Sequence, residues 1–472
     1  MQEKSNDKRI MWYSLALMAF TSVWGFGNVI NGFAYYNGLG VVIPWILILV
    51  LYFIPYALMV GELGSAFKNA GGGVSSWIQE TFGRRMAFYA GWTYWVVHMP
   101  YLSQKPTSAL IATGWIIFRD GRLNQLNPAV LQLMALALFA VSILLALRGV
   151  HFLEKISSIA GTAMFILSML FILMMIAAPA ITDKVSFTDI DWSLKTFLPK
   201  WDAKILMNIS ILVLAVGGCE KLSPYVNQMD RPAKQFPRSM ITLAVMVAVC
   251  AVLGTIALGM MYDSNNIPSD FLTNGSYEAF RRVGEYYHLG DTLLIIYAIG
   301  WVITNIAVII ISIDAPLRML LASSDRAFIP DWLTRQNKRG VYKNGVLVVA
   351  VIVSVLIIIP ALGIGNVNEV IKYVIDLNSV CMPLRYLWVF LAYIMLKKAG
   401  EQKFPAEYRF VKGKKKGMAV GFWCFFVTAY ACIAKIFNVN GDMFKLTLNI
   451  LTPFILLGIG LILPAIARRT NQ

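Results

Sequence analysis

The stretch from Met11 to Tyr36 reads MWYSLALMAFTSVWGFGNVINGFAYY, and it decides the fold. It is apolar and long enough to cross a bilayer, but Trp24-Gly25-Phe26-Gly27-Asn28 interrupts it near its middle. Glycine loses the most backbone entropy in a helix, and asparagine competes for backbone hydrogen bonds. Because free N–H and C=O groups inside a membrane are tolerated only beside protein, water or a ligand, we predict two half-helices that meet at a cavity. The N-terminus of the second half-helix would direct N–H groups at that cavity, which suits a carboxylate.

Composition places the whole chain in a membrane. Of 472 residues, 58% are hydrophobic and 14% are charged, and the mean hydropathy is +0.65. Apolar runs of about 18 residues or more recur along the chain, which is typical of an all-α polytopic membrane protein. We treat residues 1–472 as a single membrane domain. The sequence predicts twelve spans, near residues 10–37, 41–63, 86–118, 127–147, 156–180, 204–229, 239–262, 291–322, 345–362, 367–396, 417–437 and 446–467.

The net charge of +16 does not indicate a nucleic-acid partner, because its distribution follows the membrane. If residues 1–9 are cytoplasmic, most of the 41 Lys and Arg residues fall in the loops on that side, as the positive-inside bias requires. Many of them lie in Lys397 to Lys416, which we interpret as a solvated loop facing anionic lipid headgroups. The five cysteines form no CxxC pair, so no metal site is predicted, and no cofactor motif is present either.

The sixth span is interrupted in the same way as the first. Leu206 to Val216 is helical in character, but Gly217-Gly218-Cys219-Glu220-Lys221-Leu222 then adds two glycines and two charges. Ser223-Pro224 combines a favoured N-cap residue with a proline at the first helical position. We therefore predict a second half-helix from Pro224 toward Asp230.

Interrupted helices at spans one and six predict a repeat of five spans. Because five crossings reverse the direction of the chain, residues 204–396 would form an inverted copy of residues 10–180, and residues 417–467 would add two further helices. Paired broken helices of this kind mark the substrate site of many secondary transporters. The alternative is that the glycines only allow neighbouring helices to pack closely.

Short motifs spread along the chain resemble those of one family. Gly25-Phe26-Gly27-Asn28 looks like the Gly-Ser-Gly signature in the first helix of amino acid-polyamine-organocation (APC) transporters, with Phe26 in place of the serine. Gly218-Cys219-Glu220, followed by Asp230 to Arg238, is similar to the sixth-helix motif and its following loop. Further resemblances are Glu62-Leu63 with Phe67, Gly71-Gly72 and Trp77, and the loop Ser324 to Pro330. Thr21 to Asn28 and Phe53 to Met59 look most like the bacterial glutamate/γ-aminobutyrate antiporter branch.

The resemblance implies a LeuT-type fold and secondary active transport of amino acids or related amines, as an antiporter or a proton-coupled permease. It also implies that backbone N–H groups around Gly25, Phe26, Gly27 and Asn28 bind the substrate carboxylate. Carbonyl groups near three further positions would receive the ammonium group, at Val23, Leu214 and Gly217. Gly218 belongs to the same break, and Trp301 and Tyr373 are expected to line the site.

Ionisable side chains inside the spans are candidates for ion coupling or gating, because each is costly in lipid. Glu220 matches a family position linked to gating and proton coupling, or it accepts backbone N–H bonds and fixes the break. Lys221 can pair with Glu220, extend toward the membrane surface or contact substrate. Lys105 lies well inside the third span and needs a partner or a water-filled cavity.

The remaining charges within spans are interpreted as structural. Lys372 and Asp376 are four residues apart, as are Asp314 and Arg318, so each pair is expected to neutralise itself along its helix. Arg385 is expected to be a structural group or to extend toward the cytoplasmic surface.

Other classes of function fit the sequence less well. The three histidines are widely separated, and no HExxH motif, nucleophile elbow or phosphate-binding loop is present, so we do not predict an enzyme. A channel and a non-transporting sensor remain alternatives, since broken helices and buried charges also line pores. The expected location is the cell membrane with both termini cytoplasmic, and the expected partners are a small-molecule substrate, protons and lipid.

Overall fold

A computed structural model describes residues 9–182, 190–322, 325, 327–358, 367–437 and 443–471. Within these ranges the secondary structure is helical, apart from one isolated backbone bridge. The α-helices are α1 (Trp12–Val23), α2 (Gly27–Tyr35), α3 (Val42–Ile48), α4 (Ile54–Ala66), α5 (Val74–Phe82), α6 (Arg84–Val96), α7 (His98–Phe118), α8 (Pro128–Ala146), α9 (Val150–Ile181), α10 (Leu194–Phe197), α11 (Ala203–Met207), α12 (Ile209–Val216), α13 (Pro232–Gly259), α14 (Phe271–Tyr286), α15 (Thr292–Leu321), α16 (Lys343–Ile358), α17 (Val367–Cys381), α18 (Tyr386–Ala399), α19 (Lys414–Ile436), α20 (Met443–Ile459) and α21 (Ile462–Thr470). Among the connecting turns, Leu49–Phe53 is a π-helix, and Cys219–Gln228 and Met382–Arg385 are 3₁₀-helices.

Ten helical segments of the described chain are long and apolar enough to cross a membrane. They are Trp12–Tyr35, Gly38–Ala66, Pro128–Ala146, Val150–Ile181, Ile205–Gln228, Pro232–Gly259, Thr292–Leu321, Lys372–Ala399, Lys414–Ile436 and Asn449–Thr470. The chain is therefore a multi-pass, all-helical membrane protein.

Two spans predicted from the sequence are not among these ten. Residues 86–118 form two consecutive helices, α6 and α7, and the polar residues His98, Gln104 and Lys105 lower their hydropathy. In the predicted span 345–362 the structure describes α16 only as far as Ile358, and residues 359–362 lie outside the described residues.

The first break separates α1 from α2. The helix α1 ends at Val23 because Trp24 is extended, with φ −122° and ψ 142°. After one turn α2 begins at Gly27. The Phe26 ring points into an aromatic cluster, with its centre 4.8 Å from that of Phe171 and 5.2 Å from that of Phe280. The break therefore exposes backbone, while the Phe26 side chain packs into this aromatic cluster.

The second break follows α12, and it has a different conformation. Gly217 is extended, and Gly218 has a φ of +113°, a left-handed conformation that favours glycine. The 3₁₀-helix Cys219–Gln228 then begins with a bond from Lys221 N to Gly218 O at 3.1 Å. The prediction of an α-helix capped by Ser223 is wrong: the 3₁₀-helix has already begun, and Ser223 Oγ has no partner among the described atoms.

The two broken segments lie side by side in opposite directions. Ile10, just before α1, donates from its backbone to Gln228 O at 3.0 Å, at the end of the second segment. Farther along the first segment, Asn28 Nδ2 donates to Ala215 O at 3.2 Å, which lies earlier in the second. Later residues of one segment thus meet earlier residues of the other, and both breaks come together.

At one end of the bundle, a buried ion pair joins α4 to α18. Glu62 and Lys397 contact each other and are 3% and 8% exposed. Glu62 Oε2 also accepts from Tyr393 Oη at 3.1 Å and from Phe410 N at 3.0 Å, and Lys397 Nζ donates to Val411 O at 2.8 Å. The interpretation of Lys397–Lys416 as a solvated loop is therefore wrong for Lys397, because the loop folds back onto α4. We call this group the Glu62 cluster.

Candidate functional site

A cavity of about 170 Å³ lies where the two breaks meet. For comparison, an engineered protein cavity of about 150 Å³ holds a benzene molecule. The cavity has walls from α7, α14, α15 and the junction of α17 with α18 as well as from both breaks. Its lining includes Ser22, Val23, Trp24, Gly25, Gly27, Asn28, Tyr101, Gln104, Lys105, Leu214, Gly217, Lys221, Ser276, Trp301, Asn305, Asn378, Arg385 and Tyr386.

The first break supplies hydrogen-bond donors from its backbone. The Asn28 N–H already donates to Gly25 O at 2.9 Å. The N–H groups of Gly25, Phe26 and Gly27 have no hydrogen-bond partner in the described part of the chain. Three of the four N–H groups expected from the sequence are therefore free to bind an anion, at the N-terminus of α2 where the helix dipole also favours one.

Trp301 covers this backbone. A Cβ atom added at Gly25 would lie 2.6 Å from Trp301 Cζ3, whereas one added at Gly27 would be 3.7 Å from the same ring. Only glycine therefore allows the present approach of the ring at residue 25. Trp301 stacks in turn on Tyr297, with the ring centres 6.2 Å apart.

The Asn28 side chain connects the two breaks. Its Nδ2 atom donates to Val23 O and to Ala215 O, each at 3.2 Å. These acceptors lie in the region where the sequence predicted carbonyl groups for a substrate ammonium. An amide NH₂ group donates hydrogen bonds as an ammonium group does, so Asn28 occupies donor positions that a bound amine could also use.

Among the residues described, the charged side chains that line the cavity are all basic: Lys105, Lys221 and Arg385. Lys221 is 1% exposed, and its Nζ donates to Ser312 Oγ at 3.2 Å. A charge at the centre of a membrane helix costs about 2.5–3.5 kcal/mol on insertion scales. The cation–π contacts of the two lysines with Tyr101 stabilise these charges by about 0.5–2 kcal/mol each. An anion in the cavity would offset the rest of the cost of burying them.

Arg385 is held by a network of buried groups. It is 1% exposed, and its Nε lies 3.3 Å from Glu220 Oε1. Its guanidinium also contacts His98 and lies 3.3 Å from Tyr386 Oη. Of the two expectations for Arg385, the structural role is confirmed and the extension toward the membrane surface is wrong, because the 3₁₀ turn Met382–Arg385 directs it inward to a buried carboxylate.

Glu220 lies behind the cavity and does not line it. It is fully buried and accepts a hydrogen bond from Tyr56 Oη in addition to its contact with Arg385. Both partners are side chains of other helices, α4 and the α17–α18 junction, and not backbone N–H groups of the break. Tyr56 and His98 were not identified from the sequence, and neither was the pairing of Arg385 with Glu220, since no spacing rule connects such distant positions.

The other predicted site residues divide into two groups. The structure places Val23, Leu214 and Gly217 in the lining, together with Trp301. Three predicted residues do not line the cavity: Phe26, Gly218 and Tyr373. The Phe26 ring packs in the aromatic cluster instead, and Tyr373 belongs to α17.

The two predicted intrahelical ion pairs have different outcomes. Arg318 Nε lies 2.7 Å from Asp314 Oδ2, so this pair is confirmed. The Lys372–Asp376 interpretation is wrong, because Asp376 Oδ1 contacts Lys435 Nζ at 2.7 Å and Tyr35 Oη at 3.0 Å. Lys372 is exposed instead.

Two broken, antiparallel helices around a polar cavity define a polytopic membrane transporter. The amino acid permease family model matches residues 10–464, so the chain belongs to that family. The chain is 48% identical over 476 residues to the aspartate/glutamate permease AcaP of Lactococcus lactis subsp. cremoris, covering 99% of this chain and 97% of that protein. It is 24% identical over 415 residues to the inner membrane transporter YjeM of Escherichia coli, covering 83% and 82%.

A third relative is the glutamate/gamma-aminobutyrate antiporter of Lactococcus lactis subsp. lactis, 23% identical over 396 residues, covering 78% of this chain and 72% of that protein. The family and these relatives confirm the predicted APC transporter. They also show that its function is secondary transport of amino acids.

Proposed function

We propose that this protein transports acidic amino acids by alternating access to the cavity between the two breaks. The observation that carries this proposal is the charge of the cavity, whose described lining contains three basic side chains and no acidic one. The name of the relative that is 48% identical, an aspartate/glutamate permease, supports the same class of substrate.

The proposed architecture has twelve crossings. Residues 10–180 and 204–396 would form two five-helix units with opposite orientations, and residues 417–467 would add two helices. The antiparallel arrangement of the two broken segments supports this, because a unit of five crossings, an odd number, makes the second broken segment start in the opposite direction to the first. Both termini would then lie on the cytoplasmic side, where most of the Lys and Arg residues fall.

In the proposed complex, the substrate's α-carboxylate binds the free N–H groups of Gly25, Phe26 and Gly27. Its ammonium group binds carbonyl groups at the breaks, those of Val23 and Ala215 among them, and replaces the Asn28 side chain there. Trp301 lies against this backbone and closes one side of the site. Both ends of an amino acid are thus bound mainly by backbone, so substrate choice is left to side chains.

Glu220, with Lys221 and Lys105, is the candidate for coupling or gating. Glu220 connects the second break to α4 through Tyr56 and to α18 through Arg385, so a change in its protonation would alter contacts between three segments. Both exchange of one amino acid for another and proton-coupled uptake are compatible with this arrangement.

The test uses purified protein in liposomes. Uptake of radiolabelled L-aspartate is measured with and without internal aspartate, and with and without a pH gradient. We expect saturable uptake that requires internal substrate if the protein is an exchanger, or an inward proton gradient if it is a proton-coupled permease. Uptake of other amino acids without any uptake of aspartate or glutamate would contradict the proposed substrate class.

A further inference from the structure

Two ammonium groups from different segments lie near the same aromatic ring in the cavity. Lys105 Nζ of α7 is 4.6 Å from the centre of the Tyr101 ring, and Lys221 Nζ of the second break is 5.2 Å from it. All three residues line the cavity. The Tyr101 ring therefore brings two positive charges to one part of the site.

Four other basic side chains with little exposure are each neutralised by a carboxylate. The pairs are Arg318 with Asp314, Arg385 with Glu220, Lys397 with Glu62, and Lys435 with Asp376. Lys105 and Lys221 differ from them, because neither forms an ion pair with any residue that the structure describes. Both of these lysines line the cavity, where a ligand can supply the missing negative charge.

We propose that Lys105 and Lys221 together bind the side-chain carboxylate of an acidic amino acid and select it over its amide. This assignment rests on the proposed function, since it takes the cavity to be the amino acid site. The α-carboxylate is already assigned to the backbone of the first break, so the second carboxylate of the substrate is the group that meets the lysines. Tyr101 is a positioning residue that holds both ammonium groups near one point.

The selection has a simple physical cause. A hydrogen bond between an ammonium and a carboxylate is shorter and about twice as strong as one between neutral groups. An amide of the same shape carries no charge, so its binding leaves both ammonium groups without a counter-ion. Arg385 does not take part, because Glu220 already neutralises it.

The experiment compares L-aspartate with L-asparagine, which has nearly the same shape but a neutral side chain. Affinities for both are measured by uptake and by competition, for wild type, Lys105→Gln and Lys221→Gln in liposomes. We expect each substitution to reduce the preference for aspartate over asparagine roughly 10- to 100-fold, with little change for asparagine. Lys105→Arg should keep the preference, and Lys195→Gln, at a position in α10 outside the cavity lining, serves as the matched control.

Two results would overturn the assignment: an unchanged preference in both glutamine variants, or an equal loss for aspartate and asparagine. If the glutamine variants do not fold, Tyr101→Leu removes the shared ring while keeping both charges, and it should also reduce the preference. An unchanged preference in that variant would count against the assignment too. Failure of the wild-type protein to transport either aspartate or glutamate would instead refute the proposed function.

Discussion

The two breaks meet at one cavity, but they contribute different chemistry to it. The first break has no ionisable side chain, and it offers three free N–H groups beneath Trp301. The second break contains Glu220 and Lys221, and it depends on a left-handed glycine, Gly218. The first break therefore contributes backbone N–H groups to the site, and the second contributes charged side chains.

The first break can therefore recognise the α-carboxylate that all amino acids share. The second break can recognise the charge of the side chain, which differs between amino acids. Backbone N–H groups cannot titrate, and they bind any α-carboxylate at any working pH. Charged side chains respond to the substrate's own charge and to protons. We therefore expect that each break can be altered without loss of the chemistry that the other supplies.

The largest effect is expected for Arg385→Met, which removes the counter-ion of the second break. Glu220 would remain buried with Tyr56 as a neutral partner, and breaking a buried pair in this way costs about 3–5 kcal/mol. We expect a markedly lower thermal unfolding temperature for the purified protein in detergent. The double variant Glu220→Gln/Arg385→Met removes both charges and should recover much of the loss. A single variant as stable as wild type would mean that the pair does not hold the second break.

Gly25→Ala should damage the first break without affecting the second. The added methyl group would lie 2.6 Å from Trp301, so the ring must move away from the backbone that binds the carboxylate. We expect affinity for aspartate and asparagine to fall by similar factors, roughly 10- to 100-fold, equivalent to about 1.4–2.8 kcal/mol.

The matched control is Gly27→Ala, whose methyl group would be at ordinary contact distance, 3.7 Å from the same ring. It should transport nearly normally. Equal damage from both substitutions would show that loss of glycine flexibility, and not the contact with Trp301, is responsible.

Asn28→Ala removes two side-chain hydrogen bonds, one within the first break to Val23 O and one that joins the breaks, to Ala215 O. Each is worth about 0.5–1.5 kcal/mol, so the empty protein should be slightly less stable. Because a substrate ammonium would satisfy the same carbonyl groups, saturating aspartate should reduce the difference in unfolding temperature between variant and wild type. A difference that is unchanged by aspartate would argue that the ammonium group binds elsewhere.

Glu220→Gln should have the smallest effect on binding, and it tests the coupling role. Glutamine keeps the size of the side chain and a hydrogen bond to Tyr56, but it cannot titrate. The titratable groups near it include Tyr56, Tyr94, Tyr386, Arg385 and Lys221. If Glu220 exchanges the coupling proton, initial rates of uptake between about pH 4.5 and 8 should become nearly independent of pH. A profile parallel to that of wild type, after correction for equal reconstitution, would reject the coupling role.

The positions of both breaks could be predicted from the sequence, because glycine pairs act locally on the backbone. The conformation after the second break could not. Ser223-Pro224 fits the start of an α-helix, but the left-handed Gly218 starts a 3₁₀-helix four residues before Ser223 could act as its cap. Local propensity thus identified the residue at which the helix stops, but not the type of helix that comes after it.

Charge pairing was predictable only within a helix. Arg318 and Asp314 obey the four-residue spacing rule, whereas Asp376 pairs with Lys435, 59 residues later in the sequence. Arg385 was expected to be a structural group or to extend toward the cytoplasmic surface, but its partner Glu220 could not be predicted, because a 3₁₀ turn sets its direction. Partners on different helices depend on tertiary packing, which no spacing rule contains.

The Glu62 cluster can form only late in biosynthesis. Glu62 and Lys397 are separated by 335 residues, so the lysine is synthesised long after the glutamate. At about 5–20 residues per second, the ribosome needs roughly 17–67 s to make the intervening chain. During that interval α4 has its acidic residue but neither the lysine nor the Phe410 backbone that satisfies it. The first part of the bundle therefore waits for the residues that follow the tenth predicted span before this end can close.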